Sequence, residues 1–120
     1  MNNIEKVIRD GKVAVLYSPG HGAGWSTWAS IPREKCMFDP KVVAWVEGGK
    51  QGPVPVEHYG KDFYTGGARD LEIEWIPIGT AFIIQEYDGS EDIYIRDEIE
   101  WMVAYLYYIE IINKPVKVYI

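Results

Sequence analysis

Strand patterns in the second half of the chain constrain the fold more than any other feature. Residues 71–76 alternate apolar and acidic side chains with period two, as a strand with one face in solvent does. Residues 81–87 form a second strand pattern, and the turn at residues 88–90 leads into a third at residues 92–96. An Asp-Gly pair opens this turn and suits its positive φ angles. The patterns predict a three-stranded antiparallel meander.

The first half mixes helix and strand signals. Residues 2–9 carry apolar side chains at helical spacing and predict a short helix, and residues 12–17 are rich in β-branched side chains and predict a strand. Asp39-Pro40 predicts a helix start, because Asp is a good N-cap and Pro suits the first helical position. Residues 50–64 predict a loop with one helical turn. We therefore expect a single α+β domain over residues 1–120, with an antiparallel sheet of about four to five strands and two or three helices packed on it.

Composition and charge exclude several classes of protein. The chain has 120 residues and one cysteine, so an internal disulfide is excluded and neither a structural metal nor a cofactor is expected. Its apolar run at residues 101–112 is broken by Glu110, and its N-terminus is charged, so a cytoplasmic protein without a membrane span is expected. The net charge of −6 opposes binding to long nucleic acids. A small anion can still bind to main-chain N–H groups and a few cations.

The glycine-rich loop after the first strand is the main candidate site. Glycines at alternate positions let the backbone adopt positive φ angles and let a ligand approach closely, and two tryptophans offer flat faces for stacking. A turn that only reverses the chain is the alternative interpretation. The candidate ligand-binding residues are Ser18, Gly20, His21, Gly22, Gly24, Trp25, Ser26, Thr27, Trp28, Tyr64 and Arg69.

The loop fits neither of the two common phosphate-binding motifs. Trp25 stands where the phosphate loop has its lysine, and the third glycine comes one residue too early for the dinucleotide-binding pattern. What remains is a flexible backbone after a strand, with main-chain N–H groups and hydroxyls available to an anion.

A second glycine-rich stretch, residues 64–70, carries the arginine of the candidate site. Arg69 can face an anion with Tyr64 or Tyr59 stacked on it. Alternatively, it pairs with Asp70, Glu72 or another surface carboxylate. The acidic side chains after the predicted hairpin turn lack the spacing of a calcium loop, so a solvated hairpin is expected there. These side chains are Asp88, Glu91 and Asp92.

Acid–base chemistry has little support in the sequence. The two histidines, His21 and His58, are not part of a recognisable nucleophile motif, and their spacing to Asp39 or Asp70 is not diagnostic of a metal site. An enzyme is less favoured than a binding protein, and a small hydrolase using His21 is the third hypothesis.

The aromatic content points to an interface. The chain has five tryptophans and nine tyrosines. Residues 98–112 predict a buried helix or a strand, and residues 114–120 predict a last strand. Within the apolar run at residues 101–112, residues 105–108 are apolar on all sides. Such a surface suits burial between subunits, so a homo-oligomer is expected.

Several short motifs resemble a small family of bacteriophage and bacterial proteins that has no assigned activity. They are residues 15–20, Gly22-Ala23-Gly24-Trp25, residues 38–41, residues 64–68, Glu74-Trp75 and Glu86-Tyr87-Asp88-Gly89. The matches span roughly residues 12–92, and the resemblance implies a phage context, where small proteins often act against host defences. By that analogy the leading hypothesis is a non-enzymatic binder, a counter-defence sponge that sequesters an anionic nucleotide-derived signal. The second is a protein–protein inhibitor of a host defence protein.

Overall fold

The described part of the chain folds into two small antiparallel sheets joined by helices and loops. The structure is a computed structural model that describes residues 4–20 and 22–96. Its strands are β1 (Ile8–Arg9), β2 (Lys12–Tyr17), β3 (Glu72–Pro77), β4 (Phe82–Tyr87) and β5 (Ser90–Ile95), its helices are α1 (Arg33–Met37) and α2 (Pro40–Glu47), and single 3₁₀ turns lie at Ser26–Trp28, Glu57–Tyr59 and Ala68–Asp70. The α+β class is confirmed.

The central strand β2 pairs with β1 on one side and β3 on the other, and both of its faces are buried. Ala14 and Leu16 point into a cluster that includes Val42 and Val43 of α2. Val15, between them in sequence, points into the other cluster, which includes residues of the β4–β5 hairpin. The alternation of side chains along a strand thus places α2 on one face of the sheet and the hairpin on the other.

The strands do not form the predicted single sheet. Within the described residues they divide into sheets of three and two strands, because β3 pairs with β2 and not with β4. The predicted meander is therefore wrong at its first connection. Period-two alternation identifies a strand but not its partner, and here β3 pairs along its whole length with the apolar β2.

The predicted helix over residues 2–9 is wrong over its described part. Ile8 and Arg9 form β1, which turns back onto β2 through Asp10 and Gly11, at φ angles of 52° and 75°. Two successive positive φ angles are typical of a tight hairpin turn, for which Asp-Gly is a favoured sequence. The same dipeptide signal that predicted the later hairpin was present here.

Two local predictions are confirmed. The helix α2 begins at Pro40, with the Asp39 side chain accepting a hydrogen bond from the Lys41 N–H at 2.8 Å. Asp88 and Gly89 form the turn between β4 and β5, with φ angles of 53° and 90°. Both depend on side-chain and backbone chemistry of neighbouring residues, which sequence alone specifies.

The two sheets meet where β2 ends and β5 begins. The Glu91 N–H donates to the Ser18 carbonyl at 2.8 Å, and the Ser90 hydroxyl donates to the Pro19 carbonyl at 2.9 Å. The Gly22 N–H donates to the Asp88 carbonyl at 3.3 Å. The glycine-rich loop therefore lies against the hairpin turn.

Some expectations lie outside the described residues. These are the position of His21, the helix or strand at residues 98–112 with the subunit interface inferred from it, and the last strand at residues 114–120. Among the helices that the structure describes, none has the length and apolar character needed to cross a membrane.

Candidate functional site

The glycine-rich loop wraps around the carboxylate of Glu91. One carboxylate oxygen, Oε1, accepts a hydrogen bond from the Ser18 N–H at 2.8 Å. The other, Oε2, accepts from the Trp25 N–H at 2.6 Å, the Thr27 N–H at 3.0 Å and the Thr27 hydroxyl at 2.6 Å. The Glu91 side chain is fully buried. The loop is thus an anion-binding loop, and the anion it holds belongs to the same chain.

This arrangement explains what the sequence pattern could not. A solvated hairpin was predicted to carry Glu91, and for this residue the prediction is wrong, because its side chain faces the loop while that of Asp92 is exposed. A buried carboxylate is stable only where hydrogen-bond donors surround it, and the loop supplies four. The main-chain N–H groups of residues 18, 25 and 27 are therefore already occupied.

The glycines allow three backbone segments to touch. A Cβ atom on Gly67 would lie 2.8 Å from the Gly24 carbonyl oxygen, and one on Gly89 would overlap the main chain of Ala23. A Cβ on Gly20 would overlap the Asp70 carboxylate. The loop, the stretch at residues 64–70 and the hairpin turn thus pack backbone to backbone, which only glycine permits.

The two tryptophans of the loop have different environments. Trp25 is 1% exposed, its indole N–H donates to the Cys36 carbonyl at 3.0 Å, and its ring meets Phe63 edge-on at 5.4 Å between centroids. It belongs to the core, and its faces are closed to a ligand. Trp28 is 40% exposed and packs beside Tyr64, with 5.7 Å between ring centroids and 32° between planes.

An ionised carboxylate accompanies the exposed aromatic pair. The Glu86 Oε2 atom accepts a hydrogen bond from the Gly89 N–H at 2.7 Å and from the Trp28 indole N–H at 3.1 Å. These two donors lower the pKa of Glu86 below its ordinary value. Trp28, Tyr64 and Glu86, called the Trp28 cluster below, therefore form an aromatic surface with a negative charge.

Arg69 lies apart from the Trp28 cluster, on a groove beside Trp45. Its guanidinium sits 5.6 Å from the centroid of the Trp45 ring and donates to the Lys50 carbonyl at 2.8 Å, while the Lys50 ammonium donates to the Arg69 carbonyl at 2.7 Å. The groove has a volume of about 620 Å³, and Lys61, Thr65 and Glu57 also line it. The Arg69 guanidinium is thus paired with the main-chain carbonyl of Lys50, not with Asp70 or Glu72.

The remaining candidate residues are placed as follows. The Ser18 hydroxyl donates to the Ala23 carbonyl at 3.1 Å, and Ser26 is buried with a hydroxyl that has no hydrogen-bond partner among the described residues. Gly22 is exposed, with a φ angle of 89° and open space where a Cβ would be. The structure therefore separates the predicted site into a filled loop, the Trp28 cluster and the Arg69 groove.

Sequence reasoning missed a polar cluster at the start of α2. Asp39 is 6% exposed, and its Oδ2 atom accepts from the Tyr59 hydroxyl and lies 2.8 Å from His58 Nε2. Burial and the Asp39 carboxylate raise the pKa of Tyr59. The cluster borders an open groove of about 530 Å³ that Lys35 and Lys41 also line. In the sequence, the only indication of this cluster was the presence of Asp39 and His58, and their spacing does not identify a site by itself.

The described residues include one buried cysteine and no cluster of metal-binding side chains. Burial raises the pKa of the Cys36 thiol to about 12, so this side chain is a protonated core group. No group of three His, Cys, Asp or Glu side chains that could hold a metal ion occurs in the part of the chain that the structure describes.

No protein-family model, curated protein or solved structure matches this chain. The resemblance to a phage family stays a prediction.

Proposed function

We propose that the protein is a non-enzymatic binder of a small anionic ligand with a flat ring, and that the ligand occupies the Arg69 groove. The observation that carries this proposal is the combination of two cations, Arg69 and Lys61, with an apolar lining that includes Trp45 and Phe63. Cations over an apolar floor suit a ligand that is charged at one end and flat at the other.

The position of Arg69 supports tight binding. One guanidinium nitrogen, Nη1, is anchored on the Lys50 carbonyl, and the group lies over Trp45, so its orientation is fixed before a ligand arrives. Preorganisation reduces the entropy lost on binding. The other guanidinium N–H groups can donate to a phosphate or carboxylate, for which the planar shape of Arg is well suited.

Size and chemistry favour a nucleotide. A volume of about 620 Å³ lies within the range of small-molecule sites. Nucleotides combine a flat base with phosphate, and the single carboxylate at the groove, Glu57, can accept a hydrogen bond from a base. On this proposal the protein sequesters a nucleotide-derived signal, as a phage counter-defence sponge in the host cytoplasm does.

Calorimetric titration tests the proposal. A nucleoside monophosphate and a cyclic dinucleotide are compared with the unphosphorylated nucleoside and with inorganic phosphate. We expect at least one nucleotide to bind and the nucleoside to bind more weakly. The Arg69→Ala variant should weaken nucleotide binding about ten- to a hundredfold, because it removes a charge-assisted contact. Lys12→Ala, which changes an exposed cation on β2, is the matched control.

Two results would overturn the proposal. One is the absence of heat with every nucleotide, and the other is equal affinity for wild type and Arg69→Ala. Chromatography of the recovered nucleotide separates binding from turnover, since a converted nucleotide would favour the hydrolase hypothesis over the sponge.

The homo-oligomer is proposed on separate grounds. It depends on residues 101–112, which lie outside the described residues. Sedimentation at tens of micromolar should show more than one subunit, because an interface of about 1,600 Å² is stable at such concentrations. A monomer under those conditions would remove this part of the proposal.

A further inference from the structure

We propose that the Trp28 cluster binds an arginine side chain carried on a basic segment of a partner protein. This surface is distinct from the Arg69 groove, and the inference does not rest on the function proposed there. It is carried by three side chains that the fold brings together from separate parts of the chain: Trp28, Tyr64 and Glu86.

The aromatic pair presents open ring surface. Trp28 and Tyr64 are 40% and 51% exposed, although both are large apolar groups that folding usually buries. Their planes are tilted by 32°, so the pair forms a shallow angle and not a closed stack. A cation placed over such rings is attracted by their electron-rich faces, and Trp gives the strongest attraction.

The Glu86 carboxylate beside the rings is held in place through one of its two oxygens, and the other oxygen is available to a ligand. Both of its hydrogen bonds, from the Gly89 N–H and the Trp28 indole N–H, go to Oε2. The Oε1 atom has no hydrogen bond among the described residues, so it can accept one from an incoming cation. Because the same bonds favour the ionised form of Glu86, the negative charge is present at neutral pH.

Charge complementarity selects a cation over an anion. An anionic ligand here would meet Glu86, the neighbouring Asp88 and a chain with a net charge of −6. A guanidinium is the better match among protein cations, since its plane can lie on the Trp28 ring while an N–H donates to Glu86 Oε1. An ammonium is more strongly hydrated and has no flat face.

A protein partner fits better than a free small cation because exposed aromatic side chains beside a charged group are typical of protein interfaces, and Trp28 and Tyr64 are such side chains. Tyr, Trp and Arg are the residues most enriched where protein interfaces concentrate their binding energy. The Trp28 side chain is also held in place, since its ring lies against Gly24 and its indole N–H donates a hydrogen bond to Glu86. Little side-chain entropy is therefore lost when a partner binds.

Nuclear magnetic resonance of the full chain tests the inference. Each tryptophan indole N–H gives its own signal, so the Trp28 signal reports on the cluster while those of Trp45 and Trp75 report on folding. The probe is a short peptide of alternating Arg and Gly, with matched peptides in which Lys or Glu replaces Arg. We expect the Arg peptide to shift the Trp28 signal with saturation, the Lys peptide to bind more weakly and the Glu peptide not to bind.

Variants identify the atoms involved. Glu86→Gln and Tyr64→Ala should each weaken binding of the Arg peptide about two- to fivefold, which corresponds to one exposed cation contact. Glu34→Gln changes an exposed carboxylate elsewhere and should leave the affinity unchanged. An unmoved Trp28 signal, or equal affinity of wild type and Glu86→Gln, would overturn the inference. So would equal binding of the Lys peptide, or tighter binding of tetramethylammonium than of the Arg peptide.

Discussion

The carboxylate of Glu91 accepts a hydrogen bond from the main-chain N–H of Trp25 at 2.6 Å, across 66 positions of sequence. The same carboxylate accepts hydrogen bonds from the N–H groups of Ser18 and Thr27. One side chain of the hairpin therefore occupies the centre of the glycine-rich loop. The glycine-rich loop has the composition of a ligand-binding loop, but in this structure it connects the two sheets through these hydrogen bonds. The main-chain N–H groups of Ser18, Trp25 and Thr27 are therefore already hydrogen-bonded within the chain.

Replacing Glu91 should destabilise the protein strongly. Glu91→Gln removes the charge and turns an amide N–H₂ toward the loop's donors, leaving buried N–H groups unpaired. We expect a loss of about 3 kcal/mol in the free energy of unfolding, measured by urea denaturation. Asp92→Asn makes the same chemical change one residue along, at an exposed position, and should cost about 0.5 kcal/mol or less. Equal losses for both variants would contradict the role given to Glu91.

Gly79 and Gly89 have nearly the same φ angle, so substituting each with alanine distinguishes the cost of backbone strain from the cost of a steric clash. Gly79 and Gly89 have φ angles of 89° and 90°, but a Cβ on Gly79 meets nothing within 4 Å, whereas one on Gly89 overlaps the main chain of Ala23. Gly79→Ala should cost about 1–2 kcal/mol from the positive φ alone. Gly89→Ala should cost about 1–3 kcal/mol more, because backbone must move. Similar unfolding midpoints would show that the loop and turn are not in close contact.

The two tryptophans of the loop should respond differently to truncation. Trp25→Ala opens a cavity in the core and should lower the free energy of unfolding by about 3–5 kcal/mol. Trp28→Ala loses a partly exposed ring contact with Tyr64 and a surface hydrogen bond to Glu86, and it should cost about 1 kcal/mol. Denaturant melts of both variants measure the difference. A mild effect of Trp25→Ala would mean that its ring is available to a ligand after all.

Stability should fall at alkaline pH because of Cys36. Burial raises the pKa of its thiol from the ordinary value of 9.0 to about 12, so the folded state keeps the proton that the unfolded state loses. The contribution is complete below pH 9 and is lost as the pH rises toward 12, at about 1.4 kcal/mol per pH unit for one proton. Burial also raises the pKa of Tyr59, which adds a second loss at higher pH.

The Cys36→Ala variant isolates the thiol. Its stability at neutral pH will be lower because a core atom is missing, but its decline between pH 8.5 and 10 should be flatter than that of wild type. Parallel declines for the two proteins would exclude Cys36 as the cause. Alkylation of the native wild-type thiol at pH 8 should also be slow until denaturant is added.

The local elements were predictable because their signals lie within a few residues. Asp39-Pro40 specified the start of α2 through a cap and a fixed φ angle, and Asp88-Gly89 specified a turn through two positive φ angles. The Asp10-Gly11 turn had the same signal, but the apolar spacing before it also fitted a helix. The sequence there fitted both a helix and a strand with a turn, and the strand forms because residues 8–9 pair with β2.

The candidate site was predictable only in its composition. The sequence by itself determined that residues 18–28 form a glycine-rich loop at the end of a strand, because φ freedom and strand propensity are local properties. Only the tertiary structure decided that Glu91 fills the loop, that Trp25 is core while Trp28 is exposed, and that Arg69 lies on a separate groove. Each depends on which distant segment packs against the loop, and burial, unlike φ, is a property that a residue acquires from its neighbours in space.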